Sequence, residues 1–289
     1  MLRLSLSMHW AKIRFFLRYV FVIIGITAAI FLIWQATKQV PTEGNWQTPL
    51  SRLSTAEFHG DLVTVKNVRN FQYKGSEEEA DLVPGYYDKT YDLSKVSKVW
   101  YVSEPFKEIS VAAHTFLSFE FSNGDYLSIS IEARKVKGQK YRLSLGLLRT
   151  YPLMYIAADE RDALLVRANI RKDDLYVYPV RTTPEKGRLL LADILQEMNR
   201  LAEKPQWYNT VTDNCTSRIA WHVNRVTPNR IPNTAWEAYV TGYADAFALK
   251  HGLLDTDLPL EEARRKYRVT ERSQEIGDLP DYSKRIREF

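Results

Sequence analysis

The chain has 289 residues, 45% of them apolar and 26% charged, enough for a sizeable core and too apolar for disorder. Its net +5 belongs to the N-terminus. Arg3, Lys12, Arg14, Arg18 and Lys38 precede the first acid, Glu43, and the remaining 35 basic residues meet 35 acidic ones. A neutral body lacks the basic surface that releases counterions from phosphates, so nucleic acid is excluded as a partner. The lone cysteine, Cys215, excludes an intrachain disulfide and a Cys-rich zinc site.

In chain order, residues 1–14 read as a cytoplasmic N-terminus and 15–37 as a transmembrane anchor. Tyr19 to Trp34 carries no charge, and only Arg18 interrupts the apolar run back to Phe15. Arg18 can snorkel, and Trp10, Tyr19 and Trp34 suit the interfaces. A cleaved signal would end in a small-x-small site, whereas Trp34, Gln35 and Thr37 follow here. The basic residues before the span place the N-terminus in the cytoplasm and send residues 39–289 across the membrane. Residues 38–55 read as a linker, 56–260 as the folded domain and 261–289 as a charged, peripheral tail.

Within the domain, strands are predicted at 61–68, 98–103, 114–122, 126–136, 151–157 and 174–180, with the Tyr-rich stretch 75–96 as a loop. Ser122-Asn123-Gly124-Asp125 marks a hairpin. The preferred register pairs Phe121 with Leu127, Phe119 with Ile129 and Leu117 with Ile131 on an apolar face. Glu120, Ser118, Phe116 and His114 then face Ser128, Ser130, Glu132 and Arg134 on a polar one. Thr183-Pro184-Glu185 caps a helix whose Leu190, Ile194, Met198 and Leu201 form one stripe before Pro205. A second helix starts near Asp213, capped by Thr212 or Asp213, and stops before Pro228. A third is expected from Thr234 to Gly252, interrupted at Gly242. Ala158–Asp162, reading ADERD, is expected as a turn between strands.

The sequence TDNCTS puts the Cys215 sulfur in the first turn of a helix, where unpaired N–H groups and the helix dipole favour a thiolate. A cysteine nucleophile needs a base. His222 lies seven residues on, about 10.5 Å along the axis, too far to serve. His9 precedes the span, His59 follows the linker and His251 sits at a helix end. His114 combines a strand, a polar face and a nearby carboxylate, Glu132, able to fix its tautomer. Asn214 at the helix start, with Arg134 and Ser118 on the polar face, are candidate oxyanion or substrate contacts. No serine-hydrolase elbow, phosphate loop, dinucleotide fingerprint or HExxH occurs, so no cofactor or metal is expected.

The segments AHTFLSFEF, SIEARK, ADERD, YVYPV and YNTVTDNCTS, in that order, resemble the Lnb N-terminal periplasmic domain family. YDL near Tyr91 and GYADAFALKHGLLD from Gly242 extend the resemblance over roughly Asn67 to Leu254. It implies an α+β, permuted papain-like fold similar to NlpC/P60 proteins in which histidine precedes cysteine, with an antiparallel sheet packed on helices. It also implies a Cys215–His114 pair and lipoprotein N-acylation, the transfer of an acyl chain to an N-terminal amine. The expectation is a membrane-anchored cysteine acyltransferase or hydrolase acting on membrane lipid or lipoprotein. A cell-wall cysteine peptidase and a non-catalytic envelope binding protein are the alternatives.

Overall fold

The computed structural model describes residues 2–78, 81–107, 111–232, 234–238 and 240–289, the side chains of residues 2–13 and 238 excepted. The interfacial placement expected of Trp10 lies outside the described residues.

Two compact units make up the chain, Met1–Val40 and Pro41–Phe289. The first contains one helix, α1 (Leu2–Thr37). Its Arg14–Thr37 stretch of 24 residues is long and apolar enough to cross a membrane, with about 36 Å of rise against a hydrocarbon core of about 30 Å. Phe16, Phe21, Ile30 and Leu32 are exposed around it, as in a helix whose solvent is lipid.

The second unit is an α+β body on a mostly antiparallel sheet. Its strands are β1 (Thr55–His59), β2 (Leu62–Arg69), β5 (Tyr86–Asp92), β6 (Val96–Pro105), β7 (Ala113–Phe121), β8 (Tyr126–Ala133), β9 (Leu153–Ala158) and β10 (Tyr176–Pro179). They run in the order β1-β2-β9-β8-β7-β6-β10, with β5 also paired to β2; β3 (Gln72–Tyr73) and β4 (Leu82–Val83) form a separate ribbon. The helices are α2 (Leu143–Gly146), α3 (Glu160–Ala163), α4 (Pro184–Glu203), α5 (Cys215–Val226), α6 (Ala244–Lys250), α7 (Leu260–Tyr267), α8 (Thr270–Ile276) and α9 (Tyr282–Arg285).

Alternation along the central strands sends two sets of side chains to opposite faces. Leu117, Phe119, Leu127, Ile129 and Ile131 meet Leu191, Ile194 and Met198 of α4 and Ile219 of α5 in the larger core. Trp100, Val102, Phe116, Met154 and Ile156 join a second core on the other face with Val269, Tyr282 and Ile286. The expected polar, solvated face is therefore buried, and Ser118, Ser128 and Ser130 lie within it. What covers it includes the C-terminal segment that composition marked as peripheral. Val269 and Ile286 are fully buried, each stabilising by roughly 1.5–3 kcal/mol, and Arg287 pairs with buried Glu160. A few well-placed apolar residues outweigh many charges that simply face water.

Other expectations shift for identifiable reasons. The Tyr-rich stretch forms β5, whose Tyr91 is buried and stacks on Phe121 at 5.2 Å. Residues 46–54 are packed onto the body: Trp46 bridges to Val136, Leu50 enters the second core and Thr48–Leu50 forms a 3-10 turn. The third predicted helix is divided into 3-10 turns at Trp236–Ala238 and Thr241–Tyr243 before α6. Gly242 lies at that break, where its N–H donates to the Val111 carbonyl at 3.1 Å and a Cβ would lie 2.4 Å from the Val111 carbonyl carbon. ADERD is a buried anchor: Asp162 accepts from Arg69 at 2.8 and 2.9 Å, from the Phe71 N–H and from the Tyr73 hydroxyl.

Candidate active site

The hairpin sets the site. Its observed register pairs Phe116 with Ser130, Leu117 with Ile129, Ser118 with Ser128 and Phe119 with Leu127, two residues off the expected one. The Gly124 N–H and Phe121 N–H close a tight three-residue loop, Ser122 to Gly124, on Phe121 and Asp125; the expected pairing would leave five residues in the loop. A shift of two keeps every residue on its face but changes its partner. Carried past its last pair, this register sets His114 level with Glu132, not with Arg134.

His114 Nε2 lies 2.8 Å from Ser130 Oγ and 3.1 Å from Glu132 Oε1. Ser130 spends its only proton on Glu132 at 2.8 Å, so it accepts from Nε2–H. That fixes the tautomer and leaves Nδ1 for the thiol.

Cys215 opens α5 because Asn214 is the cap. Asn214 Oδ1 accepts from Ser217 N–H at 2.8 Å and Ser217 Oγ accepts from Asn214 N–H at 2.9 Å, a reciprocal box that holds the first turn rigid. Thr115 Oγ1 meets Thr216 Oγ1 at 2.8 Å, and the Ala113 N–H donates to Thr241 Oγ1 at 2.8 Å. These contacts bind the start of β7 to the start of α5, bringing His114 and Cys215 together on one cleft, close enough for each to shift the other's pKa.

Burial opposes charge on all three groups, and their mutual contacts overcome it. Glu132, then the Cys215 thiol, lift His114 to about 9. The His114 hydrogen bond and charge, with help from Thr115, bring Cys215 below the ordinary thiol value. His114 and Arg167 hold Glu132 well below the carboxylate range. The contacts thus favour the thiolate, the imidazolium and the carboxylate over their neutral forms.

Of the sequence-predicted residues, Cys215, His114 and Glu132 converge on one cleft of about 850 Å³. Asn214 also lines it, but its amide caps α5 and donates to the Thr210 carbonyl at 2.8 Å. Arg134 is elsewhere, donating to the Leu50 and Ser51 carbonyls and lying over Trp46. Ser118 is buried against Glu160. His222 is also a structural residue, held between Asp193 at 2.7 Å and Tyr155 at 2.8 Å.

Sequence reasoning missed Ser130, Glu104 and Arg167. Arg167 bridges Glu104 at 2.7 Å and Glu132 at 3.4 Å, and Arg171 pairs with Glu104 at 3.0 Å. Glu104, opposite His114 across β6 and β7, was within reach of strand alternation. Arg167 sits in a π-helical turn, Val166–Ile170, with no local signal.

The class this defines is an α+β domain with a thiol, an imidazole and a carboxylate lining one cleft. The family model described as the Lnb N-terminal periplasmic domain matches residues 84–242, more than half of the chain, and this protein belongs to that family. No curated protein and no solved structure matches it.

Proposed function

We propose that the body is a thiol acyltransferase or hydrolase of permuted papain-like design, with strand-borne His114 preceding helix-borne Cys215. The carrying observation is the thiol lowered and the imidazole raised by one another, with Glu132 behind them. The Cys215 thiolate adds to an ester carbonyl, and the oxyanion is met by first-turn N–H groups of α5. The ester C–O bond breaks, the departing alkoxide takes the proton from His114 Nδ1, and a thioester remains. An amine or water then attacks the thioester, giving its proton to Nδ1 and expelling the thiolate.

The cleft wall favours an acyl chain. Phe106, Val111, Ile131, Leu143, Tyr208 and Val211 line it, whereas its Arg167 and Arg171 are already paired with Glu104, Glu132 and Glu77. Transfer of an acyl chain to a lipoprotein amine is the reaction that such a wall suits. In this reading α1 spans the inner membrane with its N-terminus in the cytoplasm, and the body lies in the periplasm.

The test is the mass of the Cys215 peptide in full-length protein isolated from its native membrane. A hydroxylamine-labile fatty-acyl increment, absent in Cys215→Ser, is expected. A peptidyl adduct would reassign the substrate to a peptide. A thiol that stays unmodified and resists iodoacetamide until the protein is denatured would overturn the reading.

A further inference from the structure

The cleft is bordered by a segment whose charge is at odds with the rest of the body. Between Ala133 and Ala158 there are six basic residues, Arg134, Lys135, Lys137, Lys140, Arg142 and Arg149, and no acid, in a body whose other residues carry an excess of acid. Arg134 is buried; Lys137, Lys140 and Arg142 are exposed. Within the same loop Leu143, Leu147 and Leu148 are 38%, 51% and 39% exposed, and neighbouring Val211 is 56% exposed.

This apolar tip is held in place by its base. The Tyr151 hydroxyl accepts from the Arg142 N–H and donates to the Lys140 carbonyl, each at 3.1 Å. Thr210 Oγ1 donates to the Leu143 carbonyl at 2.8 Å, and Gly146 packs so closely that a Cβ would lie 2.1 Å from that oxygen. Leu145 turns inward against the larger core while its neighbours face out. A rigid apolar tip ringed by cations is the pattern that enters a bilayer interface and is drawn there by anionic headgroups.

We infer that the loop Lys135–Tyr151, with Val211, is a docking edge that seats in the surface of an anionic phospholipid bilayer. The charge selects the occupant, since a lipid surface offers phosphate to every cation while its acyl region receives the leucines. The chain also carries a helix able to cross a membrane, so such a surface is always at hand. Leu143, Val211, Tyr141 and Thr210 line the cleft as well. Docking there turns the mouth of the Cys215 site toward lipid, which deepens the acyl-transfer reading without depending on its chemistry.

The test uses the full chain with Cys215→Ser, so that a single introduced cysteine carries a fluorophore. Leu147→Cys, Val211→Cys and, as a control, Leu62→Cys, half exposed on the β1–β2 turn, are reconstituted in vesicles. The vesicles are phosphatidylcholine alone or phosphatidylcholine with phosphatidylglycerol. Lipid-borne nitroxides are expected to quench labels at 147 and 211, but not at 62, and only in the anionic vesicles. Neutralising Lys140 and Arg142 to Gln should weaken docking about fivefold per cation. Raising salt from about 0.1 to 1 M, which shortens screening from about 10 to 3 Å, should weaken it similarly. Iodide quenching at 147 and 211 as strong as at 62 in anionic vesicles would overturn the inference. So would iodide protection without nitroxide quenching, which would mean burial against protein. Because these chains lack the thiol, failure here is separate from failure of the acyl-transfer reading, which is decided by the Cys215 adduct.

Discussion

Replacing Glu132 by Gln keeps the side chain's shape and an acceptor for Ser130 while removing the charge 3.1 Å from His114 Nε2. In the native site burial works against the imidazolium, and Glu132 is the largest influence that overcomes it, carrying His114 from an ordinary 6.5 to about 9. That gap corresponds to about 3 kcal/mol of preference for the charged ring. With a neutral Gln, burial is opposed only by the Cys215 thiol and His114 falls well below its native value, so a smaller fraction of the ring is charged at pH 7. Cys215 loses its cationic partner, and its own pKa rises. The assay is the rate of iodoacetamide alkylation of the full chain as a function of pH. Below its midpoint the rate falls about tenfold for each pH unit by which the midpoint moves up, and the two curves meet again at alkaline pH. Glu132→Asp should restore part of the native curve, which a purely structural carboxylate would not do. Superimposed profiles for Glu132→Gln and the native protein would refute the claim that Glu132 sets the charge of His114.

In the Cys215→Ser chain, where the thiol no longer titrates, His114 keeps Glu132 and its folded-state pKa stays raised. Its stabilising contribution is therefore complete below about 6.5 and is lost as pH rises through the raised folded-state value, which lies below the native value of about 9 because the thiol's share is gone; urea midpoints read it, and a flat profile would contradict it. Arg167→Met removes a cation that shares Glu132 with His114, so Glu132 stays ionised and the ring should be no less charged; the alkylation midpoint should not show the upward displacement of Glu132→Gln, and an equal upward displacement would contradict this. Asn214→Ala removes the cap of α5 and should cost about 1–2 kcal/mol in chemical denaturation, with slower alkylation of Cys215 as the first turn frays. Asp162→Ala leaves the buried Arg69 guanidinium without its carboxylate and should cost about 3–5 kcal/mol; a loss under about 1 kcal/mol would mean that water reaches Arg69.

The apolar run before Thr37, the stripe of α4 and the approximate start of α5 were legible in the sequence, because each is set by neighbours within a turn or two; the cap of α5 was not, being Asn214 rather than Thr212 or Asp213. Alternation likewise placed Phe119 and Ile129 on one face and His114, Ser130 and Glu132 on the other, since a strand's period of two survives any even shift in register. The shift itself was not legible. Phe121 and Asp125 close the hairpin through backbone hydrogen bonds that side-chain pattern does not reveal, and this is what sets His114 level with Glu132. The cover of the second face was hidden for a related reason. Val269, Tyr282 and Ile286 are sparse among charges in the sequence, and their worth depends on meeting Trp100, Phe116 and Met154, more than a hundred residues earlier. Tertiary structure alone brought Arg167 to Glu132 and Glu104, because an ion pair across distant elements leaves no local period. The chemistry of the site was thus written in the local setting of each residue, a helix start for Cys215 and a strand face for His114 and Glu132, whereas their meeting and their charge state were decided by partners that only folding supplies.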